Sequence, residues 1–220
     1  NPRTKEEKFV AVFPDDLVSM QIRNNVFICT TLGGDFYAYN LTELASEKDA
    51  AAIEPLARYT GNYTSLDLFG DYVYAVNGRS VRQYSLQDGA FTDFEICAAS
   101  AIPHRLDGGA ETLLSHGKLF IADNGNSRIS VYDTDAETFC APISTNRSTD
   151  FAPVYLAGDE NTLLAADQTT AVLYATTAEN YGETLAAFDT FHGNLVGAAN
   201  VYGKYYFVTD AGYYYVAEKR

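Results

Sequence analysis

An all-β fold built from five copies of one short unit is what the sequence predicts, on three observations. Strand-like runs VFICTTL, YVYAVNG, LFIADNG, LLAADQT and YYFVTDAG begin at residues 26, 72, 119, 163 and 205, a period of about 45 residues. Each follows a turn of Asn, Asp, Gly or Lys residues: Asn24-Asn25, Gly70-Asp71, Gly117-Lys118, Asp159-Glu160-Asn161 and Gly203-Lys204. Residues that tolerate left-handed backbone angles suit tight hairpins at such places. Each run is also followed by an alternating segment holding a tyrosine: FYAYN, VRQYS, ISVYD, VLYAT and GYYYV. Apolar residues at i, i+3 and i+4, the mark of an amphipathic helix, are missing from these segments.

The remaining strands complete the unit. Ahead of each turn lies a further apolar run, LVSMQI, SLDLF, TLLSH, VYLAG or LVGAANVY, and four of the five units end in another short one, AAAIEPL, AFTDFEI, TFCAPI or TLAAFDT. Four short antiparallel strands at this period are the blade of a β-propeller, whereas leucine-rich, ankyrin and tetratricopeptide repeats have shorter periods. The predicted blades span about residues 15–56, 62–97, 110–143, 152–189 and 195–220, within one domain over 1–220. The last has three strands, and KFVAVFP (8–14) is a strand without a unit. The expectation is that this N-terminal strand completes the fifth blade, because closing the ring removes an exposed sheet edge.

The third unit carries a family pattern. Residues 119–133, LFIADNGNSRISVYD, resemble an NHL repeat through Ala122, Asp123, Asn126, Arg128, Ile129, Val131, Tyr132 and Asp133. That resemblance implies that Asp123, Asn126 and Arg128 hold the inter-strand loop by side-chain hydrogen bonds, a structural role. The other units depart from the pattern, with VNGRSV in the second and DQTTAV in the fourth. The reading is a divergent NHL-like propeller.

Composition narrows the function. The 220 residues carry a net charge of −14, which disfavours nucleic acid and anionic membrane surfaces as partners. No apolar run approaches the roughly 18 residues of a membrane helix. Cys29, Cys97 and Cys140 lie in apolar, strand-like runs and read as buried free thiols. Little lysine with plentiful Tyr, Thr, Asn and Gly leans towards a secreted or cell-envelope protein, and a cytoplasmic one stays open.

In a ring of such blades the connections entering each blade and the loops between second and third strands emerge on one face. That face holds the longer loops, and ligands bind where loops converge. The candidate ligand residues there are Arg58, His104, Arg105, Asp107, Asp150 and His192, beside loop residues Asp35, Arg79, Asp123, Asp167 and Asp210. A guanidinium fork reads carboxylates or sugars, and the competing role of each arginine is to pair with a neighbouring blade's aspartate and staple the ring. His116 belongs to a turn on the opposite face. No H-x-H, HExxH, C-x-x-C, GxSxG, Walker A or EF-hand pattern occurs, so neither metal nor cofactor is expected. The leading function is a non-catalytic module binding a protein or a glycan, as a monomer or one domain of a larger chain. The alternative is a carbohydrate hydrolase at the channel mouth, with carboxylates from Asp15, Asp16, Glu111 and Asp150. Zero tryptophans count against a sugar-cleaving cleft.

Overall fold

The computed structural model describes residues 11–77, 81–89, 91–92, 106–107, 109–136, 138–144 and 151–218. They form an all-β fold of five antiparallel sheets, in two compact units: the first within 1–77 and 82–93, the second within 78–81 and 94–220.

The first unit holds two sheets. β1 (Leu17–Arg23), β2 (Val26–Thr31), β3 (Asp35–Asn40) and β4 (Ala57–Thr60) pair in chain order, as do β5 (Ser65–Phe69), β6 (Tyr72–Val76), β7 (Val81–Ser85) and β8 (Phe91–Thr92). The β1–β2 hairpin turns through Asn24 (φ 48°) and Asn25 (φ 64°); two consecutive left-handed residues match the twist of the flanking strands. Ser19 Oγ accepts the Leu66 N–H at 3.4 Å, tying β1 to β5. Between the two sheets lies a core of Ile28, Phe36, Ala38, Leu66, Val73 and Tyr84.

The other face of the first sheet is covered differently from expectation. Residues 41–56 supply no strand: Leu41–Glu47 form a short helix, α1, capped by the Asn40 side chain, and Ala50–Ala52 form a 3-10 turn. The fourth strand comes afterwards, at 57–60, in the gap between the predicted first and second blades. Leu44 and Ala50 pack over Phe27, Cys29 and Tyr39, joined by Ala11, Phe13 and Leu17. Of the predicted closing strand, residues 8–10 lie outside the described residues. Within 11–14, Val12 donates to the Lys48 carbonyl (3.0 Å) and accepts from the Ala50 N–H (2.9 Å), while Phe13 stacks on Phe27 at 5.3 Å. The reason is apolar area: Phe27 and Tyr39 need cover, and Phe13 with the helix supplies it.

The second unit holds three sheets. The third comprises β9 (Gly109–Ser115), β10 (Lys118–Asp123) and β11 (Arg128–Asp133), with two short strands, β12 (Thr138–Phe139) and β13 (Ile143–Ser144), both on β11. β14 (Tyr155–Gly158), β15 (Thr162–Ala166), β16 (Ala171–Ala175) and β17 (Thr184–Phe188) make the fourth, and β18 (Leu195–Val201), β19 (Lys204–Thr209) and β20 (Tyr214–Glu218) the fifth. Glu111 Oε2 accepts the Leu156 N–H at 2.7 Å, fixing β14 beside β9. Phe120, Ile129, Val131, Leu163 and Val172 fill the space between third and fourth sheets. Leu164, Ala171, Leu173, Leu195, Tyr205 and Phe207 fill that between fourth and fifth. Alternation along β15 sends Leu163 to one core and Leu164 to the other, as a strand buried on both faces requires.

Candidate binding site

The loop after β10 holds a densely hydrogen-bonded polar cluster. Asp123 ends the strand with its side chain fully buried. One carboxylate oxygen, Oδ1, accepts the Asp107 N–H at 2.8 Å and the Asn126 amide at 3.0 Å. The other, Oδ2, accepts Arg128 Nε at 2.7 Å, Ser130 Oγ at 2.9 Å and the same Asn126 amide at 3.0 Å. A carboxylate offers about four lone-pair positions, and four separate groups fill them. Asp123, Asn126, Arg128 and Asp107 are therefore brought together as one network that locks the loop to the connection entering the sheet. Gly125 lies so close beneath that connection that an added Cβ would stand 2.7 Å from the Asp107 carbonyl, to which its own N–H donates at 2.7 Å. Any larger residue would separate the two segments.

The fifth sheet repeats part of this device. Asp210, at the place corresponding to Asp123, accepts the Asn194 N–H (2.9 Å) and the Asn194 side-chain amide (3.1 Å). In the fourth sheet Asp167 caps its own loop, accepting from the amides of Thr169 and Thr170, both at 2.7 Å. His192 is exposed in the connection before β18, its N–H donated to the Tyr215 hydroxyl at 2.8 Å and its ring 5.3 Å from that of Tyr213. Of the remaining predicted residues, His104, Arg105 and Asp150, like Arg79 and Cys97, lie outside the described residues.

Arg58 was expected in a connection; it sits instead in β4, diagonal to Asp35 on β3. Its Nη2 donates to Asp35 Oδ2 at 3.0 Å, and its guanidinium carbon lies 5.3 Å from the centre of the Tyr37 ring. The staple with a neighbouring blade is thus corrected to a pair within one sheet, because strand pairing brings 35 and 58 within reach. Tyr37 donates its hydroxyl to the same Oδ2 at 3.1 Å. Partial burial pushes the Asp35 carboxyl up, but hydrogen bonds from Arg58, Tyr37 and Thr60 outweigh it and hold the group below the usual carboxylate range. Burial, with the neighbouring carboxylate, pushes the Tyr37 phenol up. The result is an exposed cation resting on an aromatic face and steered by one carboxylate. Sequence reasoning missed Tyr37, although its place opposite Arg58 on an adjoining strand is what cross-strand pairing would have supplied.

Two of the carboxylates considered for hydrolysis, Asp15 and Glu111, hold backbone amides, and Asp150 lies outside the described residues. Asp15 accepts the amides of Gly33 and Asp16, each at 2.8 Å, and these, Gly33 first, hold its carboxyl below the ordinary value. Glu111 is the acceptor for Leu156. No group of three or more potential metal ligands occurs among the described residues, and no helix there is long and apolar enough to cross a membrane.

No family model and no curated protein matches the chain. Among solved structures, that of a computationally designed protein, Ika8, is similar over 96% of this chain and 74% of its own, with a TM-score of 0.59 at 9% identity. That likeness is one of fold: antiparallel sheets in series.

Proposed function

We propose that the five sheets are blades of one β-propeller, with an NHL-like third repeat, and that the chain is a non-catalytic binding module for a protein or glycan in a secreted or cell-envelope setting. The binding face in this reading is the one formed by the connections entering each sheet and the loops between second and third strands. The observation that carries it is the exposed Arg58 guanidinium, which lies over the Tyr37 ring and is steered by Asp35. It offers planar donors beside an aromatic face, an arrangement that suits a carboxylate or a sugar hydroxyl pair. The use of Asp15 and Glu111 as backbone acceptors favours binding over hydrolysis.

The test is an array of neutral and acidic glycans, probed with the wild type and with an Arg58→Ala, Arg105→Ala double variant. Lost binding at an unchanged melting temperature supports the ligand role. A lowered melting temperature makes the arginines staples, and equal binding by both proteins places the ligand elsewhere.

A further inference from the structure

At the strand ends away from Asp123 and Asp167, the hairpin turns of the third and fourth sheets enclose a cavity of about 330 Å³. The turn before β10 contributes Ser115, His116 and Lys118, the turn before β15 Glu160 and Asn161, and the turn after β16 Thr176. Hydrogen bonds fix these turns against one another. Ser115 Oγ donates to the Asp159 carbonyl at 3.4 Å, from the third sheet to the fourth, and the Thr176 N–H donates to the Asn161 carbonyl at 3.0 Å. His116 (φ 49°) and Gly117 (φ 69°) are successive left-handed residues, the geometry of a tight hairpin, and His116 is exposed there.

The polar groups of the cavity include both donors and acceptors. The single Ser115 hydrogen goes to Asp159, so His116 Nδ1, 3.2 Å from Ser115 Oγ, is assigned as the donor to that oxygen, and Nε2 of the neutral ring is left as an acceptor. Glu160 adds two acceptor oxygens, and Asn161 an acceptor and two donors. Lys118 is a donor, held by Asp133 Oδ2 at 3.0 Å. The Thr176 hydroxyl is buried and has no hydrogen-bond partner among the described residues, an uncommon state for a buried oxygen. Charge excludes the simplest ions. A phosphate only accepts and would meet the carboxylates of Glu160 and Asp133, whereas an ammonium only donates and would meet Lys118. A neutral polyol donates and accepts at each hydroxyl, so it can use the whole set. The volume is at the small end of the roughly 300–1,000 Å³ of small-molecule sites.

We propose that this cavity is a binding site for a neutral hexose. Glu160 and His116 Nε2 accept from its hydroxyls and Lys118 donates to them. The Thr176 hydroxyl, turned about its Cα–Cβ bond, gains in a sugar hydroxyl the partner it lacks. The site lies at the opposite strand ends from the loop face proposed above and does not rest on that reading.

The probes are the methyl glycosides of glucose, galactose and mannose, titrated to tens of millimolar into isotope-labelled protein and read by amide chemical shifts. Saturating shifts at residues 115–118, 160–161 and 176–178 are expected with at least one of them, and none with any overturns the proposal. Tighter binding of the same hexose carrying a phosphate would make this an anion site and overturns it too. Thr176→Val removes the unpartnered hydroxyl at nearly equal volume, so the melting temperature is expected to hold while the dissociation constant rises about fivefold, the loss of one ordinary hydrogen bond. Glu160→Gln, at an exposed position, is expected to weaken binding to a similar degree. Wild-type affinity in both variants overturns the site. The Arg58→Ala, Arg105→Ala double variant is expected to keep these shifts, and their loss in it would place the sugar on the loop face and overturn the proposal.

Discussion

Two arginine–aspartate pairs among the described residues, Arg58–Asp35 in the first unit and Arg128–Asp123 in the second, have opposite surroundings. Arg128 and Asp123, at 2.7 Å, have side chains 17% and 0% exposed. Arg58 and Asp35, at 3.0 Å, are 60% and 18% exposed. The chemistry is the same, and burial alone separates the roles. A buried carboxylate must have every lone pair met, so the Asp123 partners are fixed and the loop is fixed with them. An exposed pair is weakened by water and salt, so Arg58 gains little from Asp35 and keeps donors for something else. The lesson is that an Arg-Asp spacing in a repeat says nothing of function until exposure is known.

The sharpest way to break this comparison is Asp123→Ala. Removing the carboxylate leaves Arg128 and the Ser130 hydroxyl without their shared acceptor and takes away one of the two hydrogen bonds that tie Asp107 to the loop. Loss of one member of a buried pair costs about 3–5 kcal/mol, which for a chain of this size lowers the melting temperature by roughly 10 °C. Differential scanning calorimetry reads this, and a shift below about 2 °C would mean that the network is ornamental.

The next effect belongs to the segment that covers the first sheet. Phe13→Ala removes the ring stacked on Phe27 and edge-on to Tyr39, with an expected cost of about 2 kcal/mol and a loss of roughly 5 °C. It also opens a path to Cys29, which lies in the same cluster and whose thiol burial pushes up to about 12. In the wild type that thiol resists iodoacetamide at pH 8, because almost none is thiolate and none is exposed. Faster labelling of Cys29 in Phe13→Ala, read by peptide mass spectrometry, is expected. Unchanged labelling would place the cover elsewhere.

Much of this was legible in the sequence, and the exceptions have physical causes. The repeated runs at 26, 72, 119, 163 and 205 coincide with β2, β6, β10, β15 and β19; β2, β6, β10 and β15 are buried on both faces and so leave a dense apolar signature, while β19 alternates and is found by its repeat spacing. Helix α1 was not read because Ala50–Ala52 and Ile53 look like an apolar strand run. Its signal was Asn40 followed three residues later by Glu43, an N-terminal capping pattern, and the Asn40 side chain does accept from the amides of Thr42 and Glu43. The fate of residues 11–13 followed from that helix, whose packing on Phe27 and Tyr39 no periodicity reveals. At the site, Asp123, Asn126 and Arg128 form a local cluster within six residues, so pattern found them. The Arg58–Asp35–Tyr37 cluster spans 23 residues between donor and carboxylate and depends on the register of β3 and β4, which is set by tertiary structure.

The smallest expected effect is the most informative about function. Arg58→Ala removes an exposed guanidinium, so the melting temperature at pH 7 stays at the wild-type value within error. The Asp35 carboxyl is held below its ordinary value, and a carboxylate of that kind adds stability above the unfolded-state pKa of about 4 that is lost as pH falls through the folded value. Part of that depression comes from Arg58, so wild type and variant differ, if at all, at neutral pH, and the two denaturation curves converge below about pH 3. Chemical denaturation of both proteins between pH 3 and 7 checks the sign. A gap that widens on acidification would show that Arg58 stabilises the first unit by contacts other than Asp35. Convergence, together with loss of ligand binding in the same variant at pH 7, would leave Arg58 as a recognition residue whose contribution to folding is negligible.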